Sequence, residues 1–349
     1  MNKIALFKYI NSRGHINSYY LLDKKCAILE EVREIGNVII NNSFKHKLLF
    51  LHSKVIASTE KNIIEPWGSR MFYRHFSKFY PKKIKVFLQH GIIDKDVSEV
   101  YGKEVSDIDL FVTSTEKEKR FVEDKFGYNS NEVICTGIAR YDYLENLNKE
   151  NLIVFMPTWR RNLLDTRNIY EDEIYREKFL NSSYYLEINK FLKNDKLKMI
   201  LEEYNYKLLF IPHHMFDKYN DLFEENNRIK KYRMSDINIA KILGQAKIFI
   251  TDYSSIHFDS AYIGNINLYY QFDKDEFYSV HAKKSYFDYE VNGFGKVICR
   301  EEDLIEEINK ILLSNQEREF IYSKRVQEFF KYVDKNNSLR ICEEIEKRC

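Results

Sequence analysis

No C-x-x-C pair, no apolar run long enough to cross a bilayer and no large excess of either charge occurs in this sequence of 349 residues. The five cysteines, Cys26, Cys135, Cys299, Cys342 and Cys349, are scattered. That spacing excludes a zinc ribbon or dithiol redox motif and predicts a reducing, cytoplasmic compartment. No signal-peptide pattern opens the chain, and any membrane contact is expected to be peripheral. Lysines and arginines number 55 against 53 acids, which leaves no footprint for a general nucleic-acid binder. The basic cluster Lys82, Lys83 and Lys85 reads first as a solvated strand entry and second as a docking patch. Neither G-x-G-x-x-G nor G-x-x-x-x-G-K-[ST] is present, which removes the dinucleotide fingerprint and the P-loop. G-x-S-x-G is missing too, which removes the acyl-hydrolase elbow. With four prolines and no low-complexity tract, nothing reads as a proline-rich linker.

What is present is alternation. Short apolar runs fall at 37–40, 47–51, 54–58, 84–89, 110–114, 132–136, 152–156, 207–211, 247–251, 267–271 and 296–300. Helical patterns lie between them, among them 184–203, 216–229, 236–246 and 302–315. Strand–helix alternation of this kind predicts α/β architecture with parallel sheets. The length suits two domains, and the polar stretch 145–152 is the expected junction. The sequence therefore divides into residues 1–148, residues 151–315 and C-terminal helices over 316–349 whose position it does not fix.

The polar residues collect just after the strands. His90-Gly91 follows 84–89, where the glycine lets the backbone turn closely. Gly137-Ile138-Ala139-Arg140 follows 132–136, and Pro157-Thr158-Trp159-Arg160-Arg161 follows 152–156. Pro212-His213-His214 and Asp252-Tyr253-Ser254-Ser255 complete the set. Ligands of open parallel sheets bind beyond the carboxyl ends of the strands, so these five ends are expected to face one cleft. Arginines, histidines and hydroxyls at a helix start are what a diphosphate requires; capping and surface pairing are the plainer readings of each residue alone. D-x-D triplets at 94–96, 107–109 and 273–275 could carry a metal-bound nucleotide-sugar, but with 53 acidic residues such matches are expected by chance. His213 and His214 are adjacent and cannot both face one metal. Asp252 and Asp259 would repel a phosphate at contact distance, so they are expected to orient donors or cap. Asp236 is a candidate N-cap, with a ribose or acceptor contact as the alternative.

FLQHGI (87–92), TGIARYD (136–142), MPTWR (156–160), IPHH (211–214) and ITDYSSIHFDSAY (250–262), in this order, resemble the CDP-glycerol glycerophosphotransferase family of teichoic-acid and capsule polymerases and primases. QFDKDEFY (271–278) and YFDYEVNGFG (286–295) fit its downstream segment. The resemblance covers about residues 84–295. It implies a GT-B fold of two Rossmann-like domains facing across a cleft, with the donor nucleotide mainly on the C-terminal one, and no cofactor or metal. It implies His90 as general base, His213 as the second catalytic histidine and Ser254 with Ser255 as holders of the donor phosphates. Arg160, Thr158, Gly137, Arg140 and Asp236 complete the expected donor site, with Gly91, Asp252 and Asp259 in support. Many members have proline where Ala139 and His214 stand here.

The implied reaction moves glycerol-phosphate from CDP-glycerol to a lipid-linked or oligosaccharide acceptor at the inner face of the cell membrane, releasing CMP. Another CDP-polyol such as CDP-ribitol, a GT-B glycosyltransferase, a non-hydrolysing epimerase and a non-catalytic nucleotide-binding scaffold are the alternatives.

Overall fold

The computed structural model describes residues 2–14, 16–61, 65–67, 75, 77–164, 172–281, 283–315 and 317–349. They form two compact units. One comprises residues 1–93, 97–143 and 330–349, the other residues 94–96 and 144–329.

In the N-terminal unit, strands β1 (Tyr20–Leu22) and β2 (Val38–Ile40) pair in parallel. β3 (Val55–Ser58), β4 (Ile84–Phe87), β5 (Leu110–Thr113) and β6 (Val133–Cys135) form a second parallel sheet in that order. Every β5 residue is buried, as expected for a strand covered on both faces. The apolar run 47–51, read above as a strand, lies instead within the helix Phe44–His52. A five-residue apolar run has no period of its own. Here Ser43 decides the outcome: its hydroxyl accepts from the His46 amide at 3.1 Å and caps the helix. His46 and Phe50, one turn apart, then face inward.

Lys83 is buried, and its ammonium donates to the carbonyls of Leu51 and Ser53, each at 2.9 Å. Lys85 lies 3.5 Å from Asp107. Two of the three lysines in the basic cluster are thus committed inside the unit, one of them buried.

The C-terminal unit contains six parallel strands: β7 (Leu152–Phe155), β8 (Lys207–Phe210), β9 (Ile229–Lys231), β10 (Ile248–Thr251), β11 (Ile266–Tyr270) and β12 (Gly295–Ile298). Their spatial order is β12-β11-β10-β7-β8-β9. This is the doubly wound order, and its direction reverses between β7 and β10. Both of these strands are wholly buried. The pattern expected at 184–203 splits at Asn194 into the helices Ser183–Lys193 and Asp195–Glu203, because the Asn194 side chain caps the second at the Leu197 amide. The helix expected over 216–229 is a 3₁₀ segment, His214–Leu222, followed by β9.

Residues 330–349 return to the N-terminal unit. Asp142 accepts from the backbone amides of Asn337 (2.8 Å) and Ser338 (2.7 Å), holding the start of the helix Asn337–Glu346. Gly137 makes that approach feasible. Its φ is +80°, and a Cβ there would overlap the Asn337 carboxamide. Gly137→Ala is therefore expected to cost at least about 2 kcal/mol from strain and overlap together. Urea unfolding of wild type and variant checks this value.

Candidate active site

The switch point between β7 and β10 is where a doubly wound sheet opens a crevice. Met156-Pro157-Thr158-Trp159-Arg160 leaves β7, and Asp252-Tyr253-Ser254-Ser255 leaves β10. The two loops are bonded together: Asp252 Oδ1 accepts from the Thr158 amide at 2.7 Å, and the Thr251 hydroxyl donates to the Met156 carbonyl at 2.6 Å.

Beneath them lies Arg160, only 3% exposed. Its Nε donates to Asp273 Oδ2 at 2.6 Å, while Nη2 donates to Asp273 Oδ1 at 3.0 Å and to Asp252 Oδ2 at 2.8 Å. Nη1 donates to the Thr158 carbonyl at 2.6 Å. The guanidinium also sits over the rings of Phe277 (4.9 Å) and Tyr184 (5.0 Å). Burial disfavours its charge, but the two carboxylates outweigh burial and hold it protonated. Arg160 is thus turned inward with its donors engaged. The expectation that it contacts a phosphate gives way to a structural role, tying the ends of β7, β10 and β11. The same bonds occupy Asp273 of the 273–275 triplet.

The other polar groups at these strand ends are hydroxyls and imidazoles. Ser254 is half-buried and its hydroxyl accepts weakly, at 3.4 Å, from the Ile256 amide. Ser255 stands at the N-cap of the helix Ile256–Tyr262, and its side chain makes no capping bond. Capping by Ser255, the plainer reading, is therefore not what its hydroxyl does. His213 Nδ1 accepts from the Met215 amide at 3.3 Å, which leaves the proton of the neutral ring on Nε2. Burial foremost, with His214 adding and Asp252 opposing, pushes its pKa down to about 4. His213 is therefore a neutral hydrogen-bond donor at pH 7. Its ring lies 6.1 Å from that of Trp159. Asp259 is buried within the helix Ile256–Tyr262. Asp236 is exposed, accepts from the Ser235 hydroxyl at 2.8 Å, and caps nothing. Asn238 is the N-cap of Ile239–Gln245 instead.

His90, Gly91, Gly137 and Arg140 belong to the N-terminal unit. The left-handed residue of the turn after β4 is Gln89, at φ +59°, not Gly91. The turn is fixed from three directions. The Asn2 carboxamide donates to the carbonyls of Leu88 (3.0 Å) and Gln89 (2.8 Å), and the buried Arg140 guanidinium donates to the His90 carbonyl. Glu118 Oε1 accepts from the Ile93 amide at 2.8 Å. The His90 side chain is 55% exposed, with Nε2 3.8 Å from Glu60. Burial lowers its pKa, Glu60 opposes, and Lys3 and Arg140 add to the lowering. It is a neutral imidazole on a rigid turn, suited to accepting a proton.

Two residues were missed by sequence reasoning. Glu118 has a local signal, the capping box Thr115-x-x-Glu118: the Thr115 hydroxyl accepts from the Glu118 amide (3.1 Å), and Glu118 accepts from Ser114 (2.7 Å). Lys95 has no such signal, because its partners lie 158 residues away and at its own neighbour. Among the described residues, no three His, Cys, Asp or Glu side chains gather as a metal site would need, and no helix is long and apolar enough to cross a membrane.

A family model described as CDP-Glycerol:Poly(glycerophosphate) glycerophosphotransferase matches residues 1–347. The minor teichoic acid biosynthesis protein GgaB of Bacillus subtilis (strain 168) is 32% identical over 97% of this chain and 37% of its own length. The teichoic acid glycerol-phosphate transferase of Staphylococcus aureus (strain NCTC 8325 / PS 47) is 23% identical over 73% of this chain and 64% of its own. The chain thus spans between about a third and two thirds of these two relatives. Among solved structures, the wall teichoic acid polymerase TagF superposes with a TM-score of 0.67 at 14% identity, covering 99% of this chain and 84% of that one. The shared fold is α/β of the GT-B type.

Two outcomes follow from the buried charges. Arg160→Met should lower the unfolding free energy by about 3–5 kcal/mol, since it strands two buried carboxylates; urea denaturation reads this directly. Burial raises the Glu118 pKa from 4.5 to about 7 against its hydrogen bonds. The native state therefore holds a proton that the unfolded chain releases, and this contribution is complete below about pH 4.5 and lost as pH rises to about 7. Relative to Glu118→Gln, wild-type stability should fall by up to roughly 3 kcal/mol across that interval, measured by denaturant unfolding at stepped pH.

Proposed function

The chain belongs to the CDP-Glycerol:Poly(glycerophosphate) glycerophosphotransferase family, and on that premise we propose that it transfers glycerol-phosphate from CDP-glycerol to an acceptor hydroxyl of a teichoic-acid-like or capsular polymer, releasing CMP. The observation that carries this reading is the β7–β10 switch point, where the loop of Thr158 and the turn of Ser254 and Ser255 leave adjacent strands and are tied together through Asp252 and the buried Arg160. Hydroxyls and a neutral imidazole donor suit a diphosphate that must be oriented and then released.

In this reading the acceptor oxygen attacks the phosphorus joined to glycerol, and the bond from that phosphorus to the bridging oxygen breaks. CMP departs with the bridging oxygen and the electron pair. His90 takes the proton of the acceptor hydroxyl. The lowered pKa keeps its imidazole unprotonated at neutral pH, and the Asn2, Arg140 and Glu118 bonds hold its backbone still. His213 Nε2–H and the serine hydroxyls offer hydrogen bonds to the leaving phosphate as its charge grows. Asp252, saturated by Thr158, Tyr253 and Arg160, shapes the loop without meeting the substrate. The acceptor is lipid-linked or an oligosaccharide, met at the inner face of the cell membrane by peripheral association.

His90→Ala should cut turnover by roughly 10²–10⁴-fold while leaving donor affinity near wild type. Ser254→Ala/Ser255→Ala should weaken CDP-glycerol binding by several kcal/mol at most, at about 1.5–3 kcal/mol for each bond to a charged group. Steady-state transfer to a synthetic acceptor, with release of CMP followed across CDP-glycerol, CDP-ribitol and nucleotide-sugars, tests the activity, and calorimetry tests the donor affinities. Release of UDP or CDP in place of CMP would overturn the assignment.

A further inference from the structure

The donor site described above has hydroxyls and a neutral imidazole, but its arginine is turned inward. A diphosphate carries at least two negative charges, and the buried set of Arg160, Asp252 and Asp273 has one carboxylate more than it has cations. An anion held beside that set needs a cation nearer the solvent.

Resting on the reading of Ser254 and Ser255 as the phosphate site, we propose that Lys95 is that cation: its ammonium holds the donor diphosphate at the serine turn. Lys95 belongs, with Asp94 and Asp96, to the C-terminal unit. Its Nζ donates to the carbonyl of Tyr253, whose carbon is bonded to the Ser254 nitrogen, and to Asp94 Oδ1 at 2.8 Å. An ammonium has three donors, and these bonds use two.

Asp94 is built to hold the lysine in place. Its Oδ2 accepts from the Tyr289 hydroxyl at 2.6 Å and lies 3.8 Å from His257 Nε2, while its carbonyl accepts from the Ser285 hydroxyl at 2.6 Å. Although burial opposes its charge, Lys95 and His257 keep the carboxyl below the usual range. The two side chains differ in depth: Asp94 is 4% exposed and Lys95 19%. The pair is therefore a dipole with its carboxylate inside and its ammonium toward solvent. Fixed in this way, the lysine loses little further side-chain freedom when it meets a phosphate. The carbonyl bond sets its register on the turn that presents the two hydroxyls.

The test compares cytidine, CMP and CDP-glycerol as ligands of the full chain, by calorimetry, in wild type, Lys95→Met and Ser254→Ala/Ser255→Ala. Loss of a charged hydrogen bond predicts an affinity for CDP-glycerol about 10–100-fold weaker in Lys95→Met, an unchanged affinity for cytidine and a smaller loss for CMP. The dependence of CDP-glycerol affinity on salt should also flatten. Lys95→Arg, which keeps the charge, should retain more affinity than Lys95→Met. If Lys95→Met does not fold, as judged by circular dichroism, Lys95→Gln takes its place in the same series.

An affinity for CDP-glycerol within about twofold of wild type in the folded, uncharged variant overturns the proposal. So does an equal loss for cytidine, which marks a general disturbance of the unit. If the serine pair's replacement weakens CDP-glycerol binding and the lysine's does not, the Lys95 assignment alone fails. A wild-type protein that binds CDP-glycerol no better than cytidine fails the donor-site reading itself.

Discussion

The C-terminal unit depends on one buried cation. Arg160 leaves β7, Asp252 leaves β10 and Asp273 follows β11, so a single guanidinium joins three consecutive strand ends of the sheet. Parallel strands open at their carboxyl ends, where loops must start from unpaired backbone. A fork with fixed geometry ties that edge together. The rings of Tyr184 and Phe277 seal it from water and strengthen the pairing. In that setting removing one partner costs far more than the pair contributes, because a charge is left behind. The serine turn is rigid for this reason: Asp252, at its start, has both oxygens taken.

Much of this architecture could be read from the residues because parallel strands buried on both faces give uninterrupted apolar runs, as LIVF in β7 and IFIT in β10 do. The positions just beyond them are also legible, since chain order alone puts Thr158, His213, Ser254 and Ser255 after strands. What chain order does not carry is the direction of a side chain. Arg160 and Arg161 look alike in sequence, yet Arg160 is buried and Arg161 exposed. The partners that decide this lie 92 and 113 residues downstream. Lys95 was hidden for the same reason. Local chemistry overrode pattern in the helix Phe44–His52, where one capping serine outweighs a strand-like run, and at Gln89, where a non-glycine residue takes the left-handed turn.

Two buried carboxylates flank the segment after His90 and behave in opposite ways. Glu118 accepts from neutral donors, the backbone amides of Ile93 and Ser114 and the Gln89 carboxamide, so burial wins and its proton is retained to about pH 7. Asp94 is buried as well but has an ammonium 2.8 Å away, and its proton is lost. Burial alone does not set the state of a carboxyl; the charge of its nearest donor does. Ile93 and Asp94, adjacent in the chain, are thereby secured in different units by acids of different charge.

The return of residues 330–349 to the N-terminal unit has a consequence for synthesis. On the ribosome residues up to 143 emerge first, but the helix Asn337–Glu346, which Asp142 and Gly137 are shaped to receive, follows only after the whole C-terminal unit. At about 5–20 residues per second the wait is about 10–40 s. Throughout it the seat for Asn337 stands open while the C-terminal unit, whose strands are all consecutive, can be completed. The order of completion therefore inverts the order of translation. A pause or early termination near residue 330 would leave a finished C-terminal unit joined to an unfinished N-terminal one, a species for chaperones to shelter or proteases to clear.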